Sequence, residues 1–170
     1  NLETGIINEG ELLFDGLSYA EAIKSFRFIS GYSETIYAYE LAYAAHKGQV
    51  DRGGKPYINH PLRVALTTET NLDSMVLALL HDVIEDTDYT IDKIIEYFKK
   101  KDERKAEWFN NVCRDALIAL THIKEPFEKH SDYINRVMKH LAAVEVKIAD
   151  LTDNLDISRI PNPTDEDLKR

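Results

Sequence analysis

Apolar residues return at helical spacing from Ser33 almost to the C-terminal prolines, and this period limits the fold more than any other feature. "ETIYAYELAYAAHK" (34–47), "SMVLALLHDVIED" (74–86), "IDKIIEYFKKK" (91–101) and "AEWFNNVCRDALIALTHI" (106–123) each read as a helix with one buried side. "DYINRVMKHLAAVEVKIADLTDNLDIS" (132–158) reads as one more helix or a closely spaced pair. Seven Gly and five Pro in 170 residues leave little room for the tight turns of an all-β protein. The expected class is all-α, a helical bundle forming one domain.

The punctuation agrees. Ser33 is placed to cap the first of these helices and Gly48 to end it. "DRGGKPYINHP" (51–61) is a loop, with helix resuming from Pro61. Asn71 or Asp73 can start the next helix, and Thr90 can cap "IDKIIEYFKKK". Residues 1–32 are expected to form an N-terminal helical extension with an amphipathic piece near 18–29, a segment that could pair subunits into a homo-oligomer. Residues 33–170 then form the main domain, and "IPNPTDED" breaks the pattern, with one last helix able to start there.

The net charge of −9 argues against a nucleic acid polymer or a membrane surface as partner, since both require a positive field. No apolar run approaches a membrane span, the N-terminus lacks the zones of a secretory signal, and the lone Cys113 fits a reducing compartment. A cytoplasmic protein is expected. The acidic balance does not exclude a small anionic ligand, because a metal or a few local cations can reverse the field inside a cleft.

"LLHDVIEDTD" (79–88) sets one histidine and four carboxylates against an apolar run. His81 and Asp82 follow four apolar residues, Asp150 follows "VEVKIA", and His60 stands where a loop meets a helix. Taken singly, each has an ordinary explanation, as a hydrogen-bonded core histidine or a helix cap. Together, two imidazoles and two carboxylates make a mixed N/O donor set for a divalent ion such as manganese, iron, zinc or cobalt. Glu85 and Asp86 follow His81 and Asp82 by four residues, one helical turn on, where a general acid or base would meet the ion's water.

The run "AYELAYAAHKGQ…GGKPYINHPLRVA…LALLHDVIEDT…VKIADLTDN" closely resembles the HD-domain hydrolases of the RelA/SpoT type, with the small stand-alone alarmone hydrolases as the nearest members. The resemblance covers roughly residues 36–160. It implies an all-α HD-domain bundle that binds one Mn2+ and removes the 3′-pyrophosphate from (p)ppGpp, the nucleotide of the stringent response. Carried over motif by motif, the metal ligands are His60, His81, Asp82 and Asp150, and Glu85 and Asp86 position or activate the attacking water. Asn154 falls beside the nucleotide sugar and Tyr57 flanks the guanine pocket. A synthetase domain would follow this region in the long enzymes, and 170 residues leave no space for one, so alarmone synthesis is not expected.

Two departures touch substrate recognition. Where the long enzymes carry a basic pair before the "HP" histidine, this chain has Asp51 and Arg52, and Ile157 replaces a small polar residue near the ribose. Candidate cations for the polyphosphate are Arg52, Lys55, Arg63, Lys147 and Arg159, with Lys47 and His46 nearer the loop; Lys147, three residues before Asp150, is favoured. His122, His130 and His140 read as surface, Cys113 as a buried small hydrophobe, and the tyrosines of "YSETIYAYELAY" as core. Two other functions stay open: an HD-type phosphohydrolase acting on another nucleotide, such as NADPH or a nucleoside monophosphate, and a nucleotide-binding HD module without turnover.

Overall fold

The computed structural model describes residues 31–68, 71–122, 128–160 and 163–164. The expected extension over residues 1–30 and the helix after the C-terminal prolines lie outside that set. Within it the chain forms α1 (Ser33–Ala45), α2 (Asn59–Thr67), α3 (Leu72–Leu80), α4 (Val83–Asp86), α5 (Ile91–Lys101), α6 (Glu103–Val112), α7 (Arg114–Leu120), α8 (His130–Val137) and α9 (Leu141–Leu155). A 3-10 turn, Ile157–Arg159, follows α9. Among the described residues the only β pairing is a single bridge between Val50 and Pro56, so the all-α class holds. No helix among them is long and apolar enough to cross a membrane.

α3 is the axis of the bundle. Every residue from Ser74 to Leu80 is buried, as expected of a helix apolar on all sides. α1, α2, α7 and α9 pack around it, and α9 also crosses α2 and α7. α5 and α6 pack against each other, with α5 touching α1 and α6 leading into α7. Tyr39 is 1% exposed and Phe98 stacks on Phe109 at 4.8 Å in the core, while Cys113 is buried. Tyr37 and Tyr43 pack against that core from its edge.

The caps follow the side chains available. Asn71 starts α3 by accepting the Asp73 N–H, Thr90 accepts the Lys93 N–H at α5, and Asp102 accepts the Arg104 N–H at α6. α2 begins at Asn59, two residues before the expected Pro61. Two helices expected to be continuous are broken, at Cys113 between α6 and α7, and at His81–Asp82 between α3 and α4. The second break has a local cause. His81 Nδ1 lies 2.7 Å from the Ala78 carbonyl, the acceptor that a continuing helix would offer to the Asp82 N–H. Both residues keep right-handed backbone angles, so the chain bends without leaving helical space.

Candidate metal centre

That bend places the "HD" pair beside two other elements. His60 comes from the first turn of α2 and Asp150 from α9; His60, His81 and Asp150 are each 5% exposed. His60 Nε2 lies 3.5 Å from Asp82 Oδ2 and 3.3 Å from Asp150 Oδ1. His81 Nε2 lies 3.0 Å from Asp82 Oδ2 and 3.7 Å from Asp150 Oδ1. One ligand atom each from His60, His81 and Asp82 falls within 4.8 Å of the others. These four residues, expected as a set, are brought together.

The donor chemistry fits a divalent ion. Neighbouring ligands on metal–ligand bonds of about 2.1 Å stand about 3 Å apart, close to the spacings of this cluster. His81 Nε2 is fully buried and has no hydrogen-bond partner; its approach to Asp82 lacks hydrogen-bond geometry. Its other nitrogen donates to the Ala78 carbonyl, so in the neutral ring the lone pair that an ion would take is on Nε2. The residues therefore can hold a metal.

The electrostatics point the same way. Burial alone would lower both imidazoles, but Asp150, Asp153 and Asp82 outweigh it and push His60 up to about 11. Asp82 and Asp150 push His81 up to about 9 against the same burial. Burial would raise the carboxyls of Asp82 and Asp150; instead the imidazoles, with Tyr57 on Asp82 and Lys147 on Asp150, hold both well below the usual range. The cluster gathers positive charge at the point where a divalent ion would supply it.

The remaining candidates divide. The Tyr57 hydroxyl donates to Asp82 Oδ2 at 2.6 Å, while its ring packs 4.8 Å from His46 and 5.7 Å from His60. Lys147 Nζ donates to Asp150 Oδ2 at 2.9 Å and sits over the Tyr133 ring, and Asn154 Nδ2 donates to Asp150 Oδ1. Glu85 accepts the His122 backbone N–H at 3.2 Å. The Asp86 carbonyl accepts Gln49 Nε2 at 3.1 Å, so the two ends of the acidic pair meet different elements. Arg52 and Lys55 are exposed on the 51–58 loop, as is Lys47 before it. Arg159 belongs to the turn after α9, and its side chain is outside the described part.

Three expectations change. Arg63, offered as a phosphate contact, forks onto Asp153, Nε to Oδ1 at 2.8 Å and Nη2 to Oδ2 at 3.1 Å. His46 is buried and its Nδ1 meets Gln49 Oε1 at 2.8 Å, with burial holding the imidazole below its usual value. His122, read as surface, is half-buried against Tyr133 beside Glu85. Asp153 was missed altogether; its Oδ2 lies 2.7 Å from His60 Nδ1. Its one signal in the sequence was position, three residues after Asp150 on the same helix face.

The loop also accounts for Asp51. Its Oδ1 accepts the N–H groups of Gly53 and Lys55, each at 2.9 Å, and Gly54 takes a φ of +77°. The acid at this position builds the turn.

No protein-family model matches the chain. Among curated proteins, it is 36% identical over 119 residues to the guanosine-3′,5′-bis(diphosphate) 3′-pyrophosphohydrolase of Haemophilus influenzae, covering 68% of this chain and 17% of that protein. It is 35% identical over 122 residues to the bifunctional (p)ppGpp synthase/hydrolase SpoT of Escherichia coli strain K12, covering 69% and 17%. It is 32% identical over 122 residues to a GTP pyrophosphokinase of Myxococcus xanthus, covering 69% and 16%. The chain thus spans about a sixth of the length of these relatives.

Proposed function

The chain belongs to the HD-domain hydrolases of the RelA/SpoT type, and from that premise we propose that it hydrolyses guanosine 3′-polyphosphates, (p)ppGpp, to GDP or GTP and pyrophosphate. The observation that carries the reading is the convergence of His60, His81, Asp82 and Asp150 across three elements, with ring nitrogens and carboxylate oxygens 3.0–3.7 Å apart.

Those four residues would hold Mn2+ or another divalent transition metal. When bound, the ion lowers the pKa of water and offsets charge building on phosphoryl oxygens. The chain's own groups do the rest. Tyr57, Lys147 and Asn154 hydrogen-bond the two carboxylates and keep them ionised and aimed inward. Glu85, oriented by the His122 N–H, and Asp86 at the end of the same short helix position the attacking water and accept its proton. Water attacks the phosphorus bonded to the 3′ oxygen, that P–O bond breaks, and the leaving 3′ oxygen takes up the proton that the acidic pair removed from the water. Lys147, half-buried beside Asp150, and the exposed Arg52 and Lys55 supply positive charge toward the phosphates.

Asp51 bears on the choice of nucleotide. Because its carboxylate is engaged by the loop's own N–H groups, the departure from a basic residue there shapes the loop rather than presenting a free acid to the base. Turnover of ppGpp in 18O-water tests the bond that breaks. Label in the released pyrophosphate supports attack at phosphorus, and label in the nucleotide's 3′ hydroxyl contradicts it.

A further inference from the structure

The two nitrogens of the His60 ring face opposite duties. Nε2 looks at Asp82 and Asp150, while Nδ1 lies 2.7 Å from Asp153 Oδ2. His81 is held differently, with Nδ1 on the neutral Ala78 carbonyl. Asp153 is itself gripped, since Arg63 donates to both of its oxygens at 2.8 and 3.1 Å. His60 and Arg63 are three residues apart in α2, so the carboxylate from α9 docks onto two side chains of one helix face. The Asp153 side chain is 12% exposed, the Arg63 side chain 21%.

We infer that Asp153, set in place by Arg63, is the positioning residue that fixes His60 as a metal donor through Nε2. This rests on the reading that the four-residue cluster holds a divalent ion. A neutral imidazole that donates its Nδ1–H to a carboxylate has its lone pair on Nε2, so when an ion displaces the second proton it is Nε2 that ligates, and the anion makes that nitrogen a stronger donor than a carbonyl partner would. The Arg63 fork donates to both Asp153 oxygens and so holds the carboxylate against α2.

Mn2+ titration by calorimetry, and the rise in Tm on adding Mn2+, test this without reference to turnover. Asp153→Ala should weaken Mn2+ binding by about 10–100-fold and shrink the Mn2+-induced rise in Tm. Asp153→Asn, whose amide oxygen still accepts from Nδ1 but carries no charge, should fall between that variant and the wild type. Arg63→Met should weaken binding by a smaller factor, because Asp153 remains but is no longer held. If Asp153→Ala does not fold, the Asn and Met variants are read in the same way. Mn2+ affinities within about twofold of wild type in the variants that fold, even with a lowered metal-free Tm, would make Asp153 a cross-link between α2 and α9 and overturn the inference while leaving the proposed function intact. A wild-type protein that binds none of Mn2+, Fe2+, Co2+ and Zn2+ would overturn both.

Discussion

The Tyr57 hydroxyl donates to Asp82 Oδ2 at 2.6 Å, so a residue of the 51–58 loop is bonded to a proposed metal ligand 25 positions away. Bonds of this kind to a charged acceptor contribute about 1.5–3 kcal/mol. Tyr57→Phe keeps the ring against His46 and His60 and removes only the bond. Calorimetry should show Mn2+ affinity falling by about tenfold with a small change in the KM of the nucleotide. A raised KM at unchanged Mn2+ affinity would assign the hydroxyl to substrate instead.

Metal should also stabilise the fold. Mn2+ at about 100 times its Kd adds roughly 2.7 kcal/mol, a rise in Tm on the order of 5–10 °C that EDTA reverses. His81→Ala should abolish that rise along with turnover, since it deletes a donor from the cluster, and Asp82→Asn, which trades a carboxylate for a neutral amide oxygen, should sharply reduce both. Glu85→Gln should keep the rise and slow hydrolysis by about 10²-fold or more. Loss of the rise in Glu85→Gln would reassign Glu85 as a ligand.

Three of the four clustered residues were legible because they are polar where helical periodicity demands an apolar neighbour. His81, Asp82 and Asp150 stand out for that reason, and His60 because it sits at a loop–helix junction. What supports them was not legible. Arg63 and Asp153 are 90 positions apart, and nothing local in "HPLRVA" or "ADLTDN" says that one will grip the other. The break at His81 is not legible because apolar spacing runs straight through it, and the ring's bond to the Ala78 carbonyl at that point has no signature in the sequence. Charge on a solvated face and charge spent inside the fold look alike in a sequence, which is how Arg63 was offered to the phosphate.

Asp51 predicts a loop effect. Asp51→Asn keeps an acceptor for Gly53 and Lys55 and should leave the nucleotide's KM within about twofold, whereas Asp51→Ala removes it and should raise KM several-fold. Asp51→Lys, which adds a cation at the cost of the turn, should behave like Asp51→Ala. Steady-state kinetics decides; tighter substrate binding in Asp51→Lys would show that charge at this position outweighs loop shape.

Acid sensitivity should be visible at Glu34. It is 6% exposed on α1 and pairs with Lys105 of α6; burial raises its carboxyl, but Lys105 and Ser33 outweigh that and bring it below its ordinary value of 4.5. A depressed carboxyl contributes stability above its unfolded value and loses it as pH falls through the folded one. Glu34→Gln should therefore cost about 1–3 kcal/mol at pH 7, with the Tm gap to wild type closing below about pH 4. A gap that stays constant down to pH 3 would contradict the pairing.

The most direct test of the whole account is a panel of ppGpp, pppGpp, NADPH and nucleoside monophosphates, each supplied with Mn2+ and scored separately for released pyrophosphate and phosphate. Pyrophosphate from ppGpp and pppGpp, lost with EDTA and in His81→Ala, is the predicted result. Phosphate from NADPH or a monophosphate, with ppGpp untouched, would contradict it.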